Sequence, residues 1–580
     1  CFSLPVNGKD VFWQEHLQFT IPNPRLWYPN GLGEQNLYYL QIAYREGNRI
    51  LDFSSTRFGI RTIKMNPLPS GPQPHLYNWT FVINGRPVFL KGTNWATLDA
   101  FLRLDEARYR RFLTLAKDAN IQILRAWGGG LLETDTFYDI CDELGIMVWQ
   151  EFPLTWQKFD VLRQAVADEI ANLNIRRLRN HPSLALWCGG NEHSGQGWLI
   201  ELLGRKCYEL DGTRPYHRTD PYGGSIHNYD VYWGLQPLER NLDLIAPFIG
   251  EFGLASPCSY ESTLKYLPPD ERNAWPPADD SSFIHHTPTF TPQNMVHLLR
   301  YAKEFDPCED LQGFIRGSQL AQATGIRVVL EKMRTRFPLS TGVIYYKLTD
   351  VYPGCSWSTV DWYGVPKIAH YFVQDAFAPL QVVALFQSFS YPPDDILQTK
   401  IWLLDDKKEF KGKGEVWARL FNGKLQMVAE RRIEFLSEGE GNLLIRELDF
   451  PIPRENHIPL LLVLDLLKNG KKLTRNYYWF NFREEPGCLF NLPHTRLSSH
   501  MKEDKIIVKN IGELPAVGVY VFAPEISDCL RLEDGYFWLE PGEEREIKIE
   551  LMPNIEGKRK SLRGLRVGAW NCELVDVIEK

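Results

Sequence analysis

Two glutamates stand in matching surroundings. The run Ser183 to Cys188 is apolar without polar alternation, and Gly189, Gly190, Asn191 and Glu192 follow directly. Such a run reads as a strand buried on both faces, as in a parallel sheet. Pro247 to Gly253 repeats the design, an apolar strand ending in Glu251 between Gly250 and Gly253. For a lone glutamate a solvated loop accounts for the same residues. Two carboxylates at the carboxyl ends of strands in one barrel are what glycosidic cleavage needs. One must hold a proton for the leaving oxygen, and the other must be ionised to attack or to steady positive charge. Burial and neighbours push two such pKa values apart.

Other polar residues gather near the same strand ends. Arg125 closes the run Ile121 to Arg125 and precedes Trp127, Gly128, Gly129 and Gly130. A guanidinium beside a carboxylate keeps it ionised, which a nucleophile requires. The glycines lack the spacing and the lysine of a phosphate-binding loop. Glu151 is a third strand-end acid, suited to sugar hydroxyls or equally to a structural ion pair. His227 and Tyr229 lie between the two acids, where a tyrosine hydroxyl can hold a nucleophile or simply sit satisfied in a core. His285, His286 and His193 do not make metal spacing, and no H-E-x-x-H or G-x-S-x-G run occurs. No metal or cofactor is implied.

The elements that must position these residues alternate. A tight turn at Asn84-Gly85 joins Phe81–Ile83 to Val88–Leu90. Helical spacing over 106–120, 133–144 and 161–179 then alternates with strands over 121–125, 146–149 and 183–188. Further strands are expected at 215–217, 229–232, 248–250 and 343–346. Alternation of this kind predicts a (β/α)8 TIM barrel over 76–380. Residues 1–75 read as all-β, closing on a strand over Arg57 to Ile63 and a linker rich in proline around 67–74. Past Pro379 strand runs and turns such as Asn422-Gly423 predict two β-sandwiches, 381–482 and 483–580.

Composition bounds the partners. A formal charge of -7 without a basic stripe argues against nucleic acid. No long apolar run predicts a membrane span. With 18 Trp, 25 Tyr and 32 Phe, aromatics are in excess, which suits stacking on sugar rings and equally suits large β-rich cores. Ten scattered cysteines without a C-x-x-C pair fit neither a zinc site nor a disulfide framework, so a reducing cytoplasm is the expected location.

Four blocks resemble glycoside hydrolase family 2, in its β-mannosidase-like branch: Phe89 to Trp95; Leu124 to Gly130 running on to Cys141–Gly145 and Trp149–Phe152; Asn180 to Glu192; and Glu251 to Gly253. The resemblance implies a retaining exo-glycosidase with Glu192 as acid/base and Glu251 as nucleophile. It also implies Arg125, Trp127 and Asn191 close around the sugar; Glu151, His227, Tyr229, Tyr346 and Trp357 are the further candidate substrate contacts. The implied architecture is the barrel flanked by immunoglobulin-like β-sandwiches, the first over 1–75. By this resemblance the chain is expected to begin about where the family's second domain does, with the amino-terminal sugar-binding-type domain either truncated or lost. The chain departs from the mannosidase pattern at Glu151, where the family has Asp, and at Tyr346 to Asp350, where it has Trp-Gln-Leu-Asn-Asp. Those positions read sugar identity, so β-glucosaminide, β-galactoside and β-glucuronide stand as alternatives to β-mannoside. A non-catalytic carbohydrate-binding barrel is the contrasting reading.

Overall fold

The computed structural model describes residues 18–66, 79–156, 162–288, 294–454 and 457–579. The proline-rich linker falls outside them. Eight parallel strands form the central sheet: β1 (Leu90–Trp95), β2 (Ile123–Ala126), β3 (Met147–Glu151), β4 (Leu184–Cys188), β5 (Tyr216–His217), β6 (Ser225–His227), β7 (Phe248–Glu251) and β8 (Gly342–Tyr345). They pair in the order β5-β4-β3-β2-β1-β8-β7-β6, the circuit of a TIM barrel. The strand expected over 229–232 is instead a turn, and β6 lies just before it. Gly223 and Gly224, both at positive φ, deliver the chain into β6 early.

Helices cover the outside where the sequence supplies starts and stops. On α1 (Glu106–Asp118) the Asp105 carboxylate accepts from the Arg108 amide at 2.9 Å. Thr134 caps α2 (Asp135–Leu144), which ends on Gly145 at φ 75°. Next come α3 (Gln164–Leu178), α4 (Trp198–Leu210), the long α5 (Leu311–Thr335) and α6 (Ile368–Ala376). The almost wholly buried α5 ties the barrel to the next sheet. Its Arg327 pairs with Glu331 at 2.9 Å and donates to the Tyr477 carbonyl at 2.8 Å.

Every residue of β2, β3, β4, β7 and β8 is buried. Inside the barrel Trp149 and Phe248 pack with Trp79, whose ring lies 5.0 Å from the first and 4.8 Å from the second. Trp79 enters from a small sheet below the barrel, Ile63–Asn66, Thr80–Ile83 and Arg86–Val88. The strand expected over Arg57 to Ile63 is broken at 60–62. There the Arg61 guanidinium reaches the Pro182 carbonyl at 3.0 Å and turns the chain under the barrel. Of the sandwich expected over 1–75, the described residues show a two-stranded ribbon, Leu37–Glu46 with Arg49–Gly59.

Beyond the barrel, sheets of three and four strands carry 380–480, and sheets of five and four strands carry 497–579. Strand Ile396–Asp405 opens with exposed and buried residues in strict alternation, as a sheet with one wet face requires.

Candidate active site

Arg125 is the hub at the carboxyl end of the barrel. It is fully buried, with the Trp149 ring 5.5 Å beneath its guanidinium. Nη1 donates to Glu251 Oε1 at 2.5 Å and to Asn94 Oδ1 at 2.7 Å, Nη2 to Asn191 Oδ1 at 2.5 Å, and Nε to Glu151 Oε1 at 2.9 Å. Asp220 lies 3.4 Å from Nε. Burial works against the charge, but Glu151, Asp220 and Glu251 together hold its pKa well above the ordinary value.

Glu251 points inward because the ladder slips. Ser225 and Ile226 pair with Phe248 and Ile249, but His227 pairs with Glu251. That one-residue bulge turns the glutamate onto the face that Phe248 began. The bypassed residue has to be glycine: a Cβ on Gly250 would stand 2.0 Å from Asp220 Oδ2.

Glu192 itself has φ +52°, in the left-handed region, and Gly190 before it has φ +142°. Non-glycine residues rarely sit there, and such strain concentrates at functional positions. Glu192 Oε1 accepts from His227 Nδ1 at 2.9 Å and from the Tyr229 hydroxyl, while Oε2 accepts from the Trp156 indole. Burial pushes the Glu192 carboxyl up, but these donors outweigh it and bring its pKa down to about 2. His227 also reaches Asp220 Oδ2 through Nε2 at 2.7 Å. Burial disfavours its charge, yet Glu251, Asp220 and Glu192 raise its pKa to about 10, so it is an imidazolium. The Tyr229 hydroxyl stands 3.1 Å from Glu251 Oε2, bridging the two glutamates.

Aromatic rings wall the space above. Trp127 meets Tyr346 at 6.3 Å and Trp156 at 5.8 Å, both edge to face. Trp357 is buried, stacks on Tyr232 at 4.6 Å and donates to the Tyr232 carbonyl at 3.0 Å, so it buttresses the wall from behind. Glu151, considered for sugar hydroxyls or an ion pair, is 1% exposed. Its other oxygen accepts from the Gly128 amide at 2.7 Å, which leaves it holding Arg125 in place. Burial raises its pKa to about 7 against the pull of Arg125. Lys347 turns its ammonium to Asp350 at 3.5 Å rather than toward the glutamates.

All ten residues singled out from the sequence thus converge on one rim. Three that were not singled out join them: Asn94 on β1, Asp220 and Trp156. Asp220 lies three residues beyond β5, the strand expected at 215–217, so the strand-end rule that found Glu192 could have found it too. Trp156 carries no signal: it lies in a loop after β3 and arrives by φ +52°. Among the described residues, two clusters bring three potential metal donors within 4.8 Å of one another: Glu192, His227, Glu251, and Asp139, Asp142, His181. In the first the donor atoms are engaged by Arg125, Tyr229, Trp156 and Asp220. In the second Arg57 pairs with Asp139 at 2.8 Å and His181 with Asp142 at 2.7 Å. Both are hydrogen-bonded networks.

Residues 2–61 match the sequence profile of glycosyl hydrolases family 2, and residues 75–228 match that family's TIM barrel domain. The chain belongs to glycosyl hydrolase family 2. Within the family it is β-mannosidase-like, and it is a glycoside hydrolase. Beta-mannosidase B of Thermothelomyces thermophilus is 28% identical over 600 residues, covering 91% of this chain and 68% of that protein. Beta-mannosidase B of Emericella nidulans is 25% identical, covering 92% and 68%. The crystal structure of the beta-D-mannosidase from Dictyoglomus thermophilum superposes with a TM-score of 0.78 at 27% identity, covering 96% of this chain and 69% of that one. An exo-chitosanase from Amycolatopsis orientalis shares the fold, with a TM-score of 0.74 at 19% identity over 96% of this chain and 70% of that one. Among the described residues no helix is long and apolar enough to cross a membrane.

Proposed function

We propose that this family 2 hydrolase removes terminal β-linked sugars, β-mannosides foremost, with retention of configuration. The observation that carries the reading is the Tyr229 bridge, with carboxylate oxygens of Glu192 and Glu251 within 4.8 Å of each other. Retaining pairs stand about 5–5.5 Å apart, whereas inverting pairs leave room for a water between them. Arg125 supports Glu251 as the nucleophile, since its Nη1 donates to Glu251 Oε1 and holds that carboxylate in place. In the first step Glu251 bonds the anomeric carbon while Glu192 protonates the departing oxygen. In the second, Glu192 takes a proton from water, whose oxygen displaces Glu251.

An acid held near 2 has no proton of its own at neutral pH. Its contact with His227, held near 10, supplies one. Such a pair titrates as a unit, and the shared proton rests on His227 Nδ1. An aglycone that displaces the Trp156 indole from Oε2 removes a donor to the ionised carboxylate, and Glu192 then competes for that proton. A tyrosine hydroxyl carries a single proton. Tyr229 therefore donates to one glutamate at a time, here to Glu192, with Glu251 Oε2 3.1 Å away.

Mannose as the leading sugar rests on the named activities of the relatives at 28% and 27% identity. Trp127 and Tyr346 supply the rings against which the sugar packs. A panel of 4-nitrophenyl β-glycosides tests the reading. Turnover of the mannoside above the glucosaminide, galactoside and glucuronide is expected, and another sugar ahead of it would replace the assignment. No turnover of any, with sugar binding that survives Glu192→Gln and Glu251→Gln, would leave a binding barrel.

A further inference from the structure

A cavity of about 400 Å3 lies where the barrel meets the last β-sandwich, outside the site described above. It falls within the range of small-ligand pockets, about 300–1,000 Å3. The barrel contributes Tyr260, Glu261 and Tyr371, and the sandwich contributes Tyr520, Tyr536 and Trp570. Interiors are close-packed, so an opening of this size at a domain junction calls for a reason.

The junction is fastened beside it. Arg111 donates to the Gly364 carbonyl on the barrel and to the Ser527 and Leu530 carbonyls on the sandwich, the last two at 3.2 Å. Arg531 grips Asp118 at 2.5 and 2.6 Å. The walls are shaped to one another as well. Tyr371 lies against the sandwich backbone where residue 535 is glycine, and a Cβ there would meet the ring at 3.2 Å. Tyr520 stacks on Tyr536 at 5.5 Å, and Tyr371 meets Tyr536 at 5.7 Å.

Five polar groups on these walls have no partner among the described residues. Tyr371 is only 8% exposed, yet its hydroxyl bonds no described residue. The hydroxyls of Tyr260, Tyr520 and Tyr536 and the half-buried Glu261 carboxylate likewise have no hydrogen bond or ion pair among the described residues. Arg316, at the edge, is already paired with Asp306 and lies 4.1 Å over the Phe490 ring. Buried polar groups are normally satisfied, so the Tyr371 hydroxyl marks a place for a ligand's own donor or acceptor, and the half-buried hydroxyls and carboxylate around it are free to add to it.

We propose that this cavity is a second, non-catalytic saccharide site. Sugar hydroxyls both donate and accept, which matches tyrosine hydroxyls beside an unpaired carboxylate, and the C–H faces of a pyranose match flat aromatic rings. A purely apolar ligand would strand the hydroxyls and Glu261. An anion would meet the Glu261 charge with no free cation facing it among the described lining residues. The proposal holds whichever sugar the barrel cleaves.

The test uses the full chain carrying Glu251→Gln, so that turnover is blocked, titrated calorimetrically with β-1,4-mannobiose. Two sites are expected. Adding Glu261→Gln should weaken one of them by about tenfold or more, and adding Tyr371→Phe by about fivefold, as the loss of a charged and a neutral hydrogen bond implies. With Glu251 restored, both substitutions should leave nitrophenyl glycoside turnover unchanged, which also shows that the variants fold. A single site, or a second site indifferent to both substitutions, overturns the proposal. Loss of glycoside turnover in the unmodified chain would instead strike at the reading of the barrel.

Discussion

Within the barrel the same strands build two floors of opposite character. The lower floor is Trp79, Trp149, Phe248 and Ile344, a fully buried apolar cluster. The upper floor is Arg125, Glu151, Asp220, His227 and Glu251, nearly as buried and almost wholly charged. One step of two residues along β2 or β3 passes from one floor to the other, Ile123 to Arg125 and Trp149 to Glu151. The lower floor is held by area and shape. The upper one is held because each charge faces an opposite charge or a donor. Stability should therefore reside below and chemistry above.

Substitutions can break that division. The largest effect is expected for Glu251→Gln, which should bring turnover of every glycoside to background. Arg125 keeps Glu151 and Asp220, so the melting temperature should hold. A large drop in melting temperature would show that the upper floor is structural too. Trp149→Ala, below, should lower stability by about 3–5 kcal/mol in denaturant unfolding. It should reduce activity only through the loosened support of Arg125.

Within the upper floor, Glu192→Gln should slow an alkyl mannoside by about 10²–10⁴-fold and a nitrophenyl mannoside far less, because an acidic leaving group needs little protonation. Equal losses on both would remove Glu192 from the acid role. His227→Gln should act through pH. The unmodified pair keeps its proton until pH rises through the raised pKa of His227, about 10. Without the imidazole the proton must reside on Glu192 alone, so the alkaline limb of kcat/KM should move to lower pH. A limb that stays put would show that His227 stores no proton. In stability the raised pKa of His227 contributes fully below its unfolded value of about 6.5 and is lost as pH rises through about 10. The lowered pKa of Glu192 contributes above its unfolded value and is lost as pH falls toward about 2. The smallest change is expected for Trp156→Phe, which removes one donor from Glu192 at a half-open position. A several-fold change in kcat with alkyl glycosides should register it, and no change at all would mean that Trp156 merely rests on Glu192.

Much of this was readable in the chain. The βα alternation, the glycine-flanked acids and Arg125 at the end of its strand specify a barrel with a charged rim, because periodicity and turn residues act locally. What escaped was short or irregular. The strand expected at 215–217 is there as β5, but Asp220 stands three residues beyond its end, past Arg218 and Thr219, where no glycine turn singles it out. The expected strand at 229–232 drew on tyrosine and valine, whose preference for strands yields to packing around Tyr232 and Trp357.

The sequence alone determined which residue types stand at which strand ends, since that follows from the order of residues and the period of a strand. Only the tertiary structure decided their roles. It turned Glu251 inward through a bulge, set Glu151 beneath Arg125, sent Lys347 to Asp350 and brought Trp156 onto Glu192. Each of these depends on a contact between distant segments, and hydrogen bonds that short cannot be inferred from spacing along the chain.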